Sequence, residues 1–101
     1  MSDHPPLKLS DLRNIGWAEW DPIGLLAKGE RWERQPFADE YDNYLLRVAS
    51  ELRRGWSVAQ AVDFLMRVET ERMGLGVKPT SHARAEATVI AIEAYLNSSR
   101  G

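Results

Sequence analysis

Apolar residues recur at helical spacing along most of this chain, and nowhere do they alternate over a stretch long enough for a strand. The clearest case runs from Asp39 to Arg54. Tyr41, Leu45, Val48 and Leu52 fall four, three and four residues apart, which puts them on one face of an α-helix. Asp39, Glu40 and Asp42 crowd its start, Arg53 and Arg54 its end, and both complement the helix dipole. Gly55 is a natural stop. A second helix follows at once. Ser57 to Gln60 matches a capping box, and Val58, Ala61, Val62, Leu65, Val68 and Met73 form its apolar stripe up to Gly74. Only Gly55 and Trp56 join the two, so they should pack as an antiparallel hairpin. Thr80 or Ser81 caps a last helix to about Asn97, with Ala85, Val89, Ile92 and Leu96 facing inward. Ala83, Ala87, Ala91 and Ala94 keep that helix slim enough for close packing.

The first part of the chain is less regular. Leu7, Leu9, Leu12 and Ile15 predict a short helix that begins near Ser10 and stops at Gly16. Residues 16–38 read as a long ordered loop, with a helical turn around Pro22 to Ala27 and Trp32 and Phe37 as anchors. Pro22 biases Asp21 away from the helical region, and Gly24 takes backbone shapes closed to other residues. Residues 1–6 are expected to be a flexible tail, 7–97 a single helical domain and 98–101 a frayed end. The predicted fold is all-α: a small bundle of three main helices, a short N-terminal helix and an aromatic loop.

Composition narrows the function. A chain of 101 residues builds one domain with one modest core. Zero cysteines exclude thiol catalysis, disulfides and cysteine-bound metals. No apolar run approaches the roughly 20 residues that cross a bilayer, and the first residues lack the pattern of a secretory signal. A cytoplasmic protein without a membrane partner is therefore expected. The net charge of −2 argues against nucleic acid. That charge is uneven. Residues 17–44 hold seven acids and three bases, a local net of −4, whereas 51–101 hold seven bases and six acids. A protein partner with a basic surface fits this distribution.

Candidate chemistry is sparse. Asp39 and Asp42 share a helix face, but hard cations want six or more oxygens and nothing nearby completes that set. Complementing the helix dipole explains these acids more simply. His4 and His82 have no zinc-type spacing, no nucleophile elbow surrounds any serine, and Gly74-Leu75-Gly76 is too short for a phosphate loop. No catalytic residue, metal site or cofactor is expected. Four tryptophans are a high count for this length. Packing of the loop accounts for them first. The functional reading adds that Trp20 and Tyr44 stay exposed beside the acids as anchors for a partner. The expected partner-binding set is Trp20, Asp21, Asp39, Glu40, Asp42 and Tyr44. Glu69 and Glu71 are assigned to a solvated helix face.

At Trp20-Asp21-Pro22-Ile23-Gly24 and Asp39-Glu40-Tyr41-Asp42 the chain resembles a group of small uncharacterised bacterial proteins. The run Glu69-Thr70-Glu71-Arg72-Met73-Gly74-Leu75 is similar to the end of the third helix in that group. The resemblance spans residues 15–76. It implies a compact helical fold and, for some relatives, an immunity protein that neutralises a toxin domain. Two other readings compete with a partner-binding module: a homodimer through the alanine-rich last helix and, third, a metal-dependent hydrolase using the acidic cluster.

Overall fold

The computed structural model describes residues 7–26 and 29–98, all helix, turn or coil without a strand among them. The tail expected over residues 1–6 and the end beyond Ser98 lie outside the described residues. Four α-helices run α1 (Leu9–Ile15), α2 (Asp42–Arg54), α3 (Val58–Arg67) and α4 (Ser81–Ser98). The all-α bundle is thus the observed architecture. α4 packs against α1, α2 and α3, and it also covers the turn that follows α1. One core joins all four helices, with Leu12, Trp17, Trp20, Tyr41, Leu45, Val48, Leu65, Val89 and Ile92 among its buried members.

The helix signals in the sequence have direct counterparts. Ser57 accepts from the Gln60 amide at 3.2 Å while the Gln60 side chain accepts from the Ser57 N–H at 2.8 Å, so the capping box forms in both directions. Gly55 ends α2 with φ 125°. The Trp56 N–H reaches the Glu51 carbonyl at 2.8 Å and the Gly55 N–H that of Leu52 at 3.3 Å, the paired bonds of a Schellman stop. α4 begins at Ser81, and the Arg84 N–H donates to the Thr80 carbonyl at 2.9 Å.

Three expectations are corrected. Gly16 does not stop α1. The chain continues through Gly16–Trp20 as a π-helical turn, with Gly16 itself helical at φ −61° and ψ −42°. Packing demands the glycine here, because a Cβ at residue 16 would lie 2.6 Å from Leu45 Cδ1. The helical turn expected around Pro22 to Ala27 is not seen over residues 22–26, and a 3₁₀ turn forms at Trp32–Arg34 instead. α2 starts at Asp42 and not at Asp39, since the chain before it folds as i→i+3 turns (Glu40 N–H on the Phe37 carbonyl at 3.0 Å, Asp42 N–H on that of Asp39 at 3.2 Å) and Tyr41 at φ −104° and ψ 5° is the N-cap. Only Asp42 therefore lies in the first turn.

α3 also ends in a π-helical turn, Val68–Arg72, closed by the Met73 N–H on the Val68 carbonyl at 2.9 Å. Such turns insert one residue into a helical repeat and shift the side chains that follow. Here the turn carries Glu69, whose side chain is fully buried.

Candidate partner-binding surfaces

The six residues proposed from sequence divide into a buried frame and an exposed edge. Asp21 builds the frame. Its backbone sits at φ 27°, in left-handed space that a non-glycine residue tolerates only with compensation. The compensation comes from its carboxylate, which accepts from the N–H groups of Leu25 at 3.0 Å and Leu26 at 3.1 Å and from the Tyr41 hydroxyl at 2.7 Å. Tyr41 accepts in turn from the Ile23 N–H at 3.3 Å. Burial, then the bond to Asp21, pushes the Tyr41 phenol well above its ordinary range. Asp42 is equally committed. Arg13 grips it with two bonds of 2.9 and 2.6 Å, and this pairing raises the guanidinium pKa further.

Trp20 is 1% exposed, so it is no surface anchor. Its ring packs on Tyr41 at 5.2 Å and edge-on to Tyr44 at 6.0 Å, because α4 closes over the turn that carries it. Tyr44 is half-buried. Asp39 and Glu40 are the two members of the predicted set that stand exposed. They flank the frame and make no part of it.

A cleft with aromatic lining lies elsewhere, at Trp32 and the 5% exposed Trp17, residues the acid-centred reading did not select. Trp17 packs between Phe37 at 5.4 Å and Tyr41 at 4.7 Å, and its indole N–H donates to the Ala38 carbonyl at 3.2 Å. Trp32 is half-buried. Its indole donates to Asn14 Oδ1 at 2.6 Å, and Arg13 lies 5.9 Å from its ring centre. Between the two tryptophans opens a cleft of about 410 Å³, bounded also by Asn14, Leu26, Glu30 and Glu33. Arg31 at its rim is paired with Glu33 at 3.4 Å. Among the described residues of 17–44, five acids are exposed (Glu19, Glu30, Glu33, Asp39 and Glu40) against Arg31 and Arg34. The acidity of the sequence thus survives at the surface even though Asp21 and Asp42 turn inward.

A second polar cluster corrects the placing of Glu69. The residue is 0% exposed, where a solvated face was expected. Ser81 donates its hydroxyl to Glu69 Oε2 at 2.6 Å, and Arg84 approaches the same oxygen at 3.4 Å. Arg84 also donates to the Trp20 carbonyl at 3.0 Å and to Thr80 Oγ1 at 3.2 Å. One guanidinium therefore ties the first turn of α4 to the end of α3 and to the turn after α1. The spacing held a signal for this: residue 69 follows Leu65 by four and Val62 by seven, on the inward face of the helix.

No group of three or more His, Cys, Asp or Glu side chains that could hold a metal occurs among the described residues. No described helix is long and apolar enough to cross a membrane. Comparison with protein-family models, with curated proteins and with solved structures found no match.

Proposed function

We propose that this protein is a binding module that captures a basic protein partner, with the cleft between Trp17 and Trp32 as its recognition site. The observation that carries this reading is a cleft in which the half-buried Trp32 and the buried Trp17 lie with Glu30 and Glu33, within a surface where exposed acids outnumber bases. A lysine or arginine side chain entering such a cleft gains an aromatic face and nearby carboxylates together. Each cation–π contact contributes about 0.5–2 kcal/mol, more as water is excluded. Asp39 and Glu40 steer the approach, and their effect is screened by salt. Asp21, Asp42 and Trp20 serve by holding the cleft rigid, so that little ordering is left to the moment of binding. The resemblance at Trp20–Gly24 and Asp39–Asp42 adds a setting for this role, the capture of a toxin domain.

Affinity capture from host lysate tests the reading, with Glu30→Lys/Glu33→Lys as the parallel variant and far-UV circular dichroism as the check on folding. A stoichiometric basic protein retained by the parent chain and lost by the folded variant is the expected result. Capture that survives the double charge reversal would remove the cleft from the argument.

A second reading has its own observation. On α4, Ile90 is 51% exposed and Ala83 and Ala94 stand exposed beside it, a face suited to close helix pairing. A homodimer through this face predicts a concentration-dependent mass that Ile90→Glu returns to monomer.

A further inference from the structure

A second recess lies apart from the tryptophan cleft. It is a groove of about 530 Å³ between α3 and the start of α4, lined by Val58, Ala59, Val62 and Met66 on one side and His82 and Glu86 on the other. Asp63 closes its rim. Val58, Val62 and Met66 follow one another at intervals of four, so the apolar floor extends for two helical turns, about 12 Å. Ile90 continues the His82–Glu86 row by one further turn and is 51% exposed. The groove is thus long enough for two or three side chains projecting from one face of a helix at i, i+4 and i+7.

Charge selects the occupant. The two carboxylates bordering this apolar floor, Asp63 and Glu86, are both exposed, with the Asp63 side chain 62% so. Arg67, one turn along α3, is bridged to Asp63 at 3.0 Å. Glu86 on one side of the apolar floor, with the exposed Asp63–Arg67 pair on the other, complements a helix with leucine-like anchors and a lysine or arginine on the flank that meets Glu86. A second copy of this chain does not supply such a helix among its described residues. The outward row of α2, Asn43, Arg47, Ser50 and Arg54, has no apolar anchor, and the outward face of α4 carries His82, Ala83, Glu86, Ile90 and Ala94, without a lysine or arginine. We propose that the groove between α3 and α4 is a docking site for a basic amphipathic helix of another protein. The site is separate from the tryptophan cleft and stands whether or not the cleft binds.

The probe is a five-turn synthetic helix of leucine and lysine, with leucines at i, i+3, i+4 and i+7. Its controls are a permuted peptide of the same composition with leucine and lysine alternating, and a leucine–glutamate helix. Titration of the full chain, followed by calorimetry and by ¹⁵N amide shifts, should place the leucine–lysine helix against Ala59, Asp63, Met66, His82 and Glu86. Both controls should bind about tenfold more weakly. Ala59→Tyr, which fills the groove without changing charge, and Asp63→Lys/Glu86→Lys should each weaken binding by about the same factor. Glu30→Lys/Glu33→Lys should leave it unchanged, which separates a failure of the groove from a failure of the cleft. Equal binding of the permuted peptide, shifts confined to the cleft, or indifference to Ala59→Tyr would overturn the proposal. So would concentration-dependent self-association that shifts the groove amides without peptide, since a second copy would then be the occupant.

Discussion

Gly16 shows how one missing side chain sets the geometry of this fold. A sequence reading takes a glycine after four apolar positions as a helix stop, since glycine is so common there. Its real role is a close approach to Leu45, which no local pattern reveals because the partner is 29 residues away. Gly16→Ala should therefore destabilise the protein by about 1–3 kcal/mol, the range for overpacking a filled core. This runs against the roughly 1 kcal/mol by which alanine favours a helix over glycine. Adding Leu45→Val should return part of the loss, and a urea midpoint for each variant decides it. Tyr41 makes a second residue-scale case. Its phenol is raised in the fold by burial and by Asp21, so the unfolded chain releases that proton first as pH climbs. Tyr41 thus stabilises the protein fully below pH about 10, and its contribution fades as pH rises above that, by up to about 1.4 kcal/mol per unit. Tyr41→Phe should be less stable at neutral pH, because Asp21 and Ile23 lose a partner, yet its stability should fall less steeply in alkaline urea titrations. An unchanged alkaline slope would mean that Tyr41 is not the group responsible.

At the level of elements, the three main helices were legible from local evidence: an apolar repeat in each, the capping box of α3 and the glycine end of α2. Ser57, Gln60 and Gly55 act within a few residues of where they stand, so a local reading finds them. The two π-helical turns were not legible. Gly16–Trp20 and Val68–Arg72 each look like the frayed end of a helix, and each is held by contacts distant in sequence. The candidate site suffered for the same reason. Asp39, Glu40 and Asp42 look equivalent in a row of acids, but Arg13 claims only Asp42, and Trp20 looks free until α4 closes over it. Glu69 is the sharpest test of how these elements join. Removing its carboxylate leaves Ser81 without its acceptor and Arg84 without its charge partner. Glu69→Ala should cost about 3 kcal/mol, the scale of a broken buried pair. Glu69→Gln keeps an acceptor for Ser81 and should cost about 1 kcal/mol, that of one hydrogen bond. Amide exchange over residues 76–82 should quicken in the alanine variant before the rest of the protein. Equal small losses in both would show that Arg84 needs only the Trp20 carbonyl.

The whole molecule is a thin slab, 40 by 30 by 18 Å, which is less than two helix diameters deep in its shortest direction. In so thin a body each large side chain touches several elements at once. Trp17 and Trp20 belong to the same buried cluster as Leu65 of α3 and Ile92 of α4, and Arg84 fastens the segment that carries them to both helices. The irregular first third of the described chain is consequently no appendage, although its sequence reads as a loop. It supplies core that a bundle of α2, α3 and α4 would lack, and it presents the acidic surface on a frame that the helices keep rigid. If the loop and helices share one core, they must unfold together. Tryptophan fluorescence reports mainly on residues 17–32 with Trp56, whereas far-UV circular dichroism reports on α2, α3 and α4. The two signals should follow one urea transition with the same midpoint and slope, as a single cooperative unit requires. In Arg84→Met, which cuts the tie to the Trp20 carbonyl, the fluorescence midpoint should move below that of circular dichroism. Two separate transitions in the parent chain would instead make the first third an independent layer. The tryptophan cleft would then form and dissolve without the bundle, and the preorganisation proposed for it would be lost.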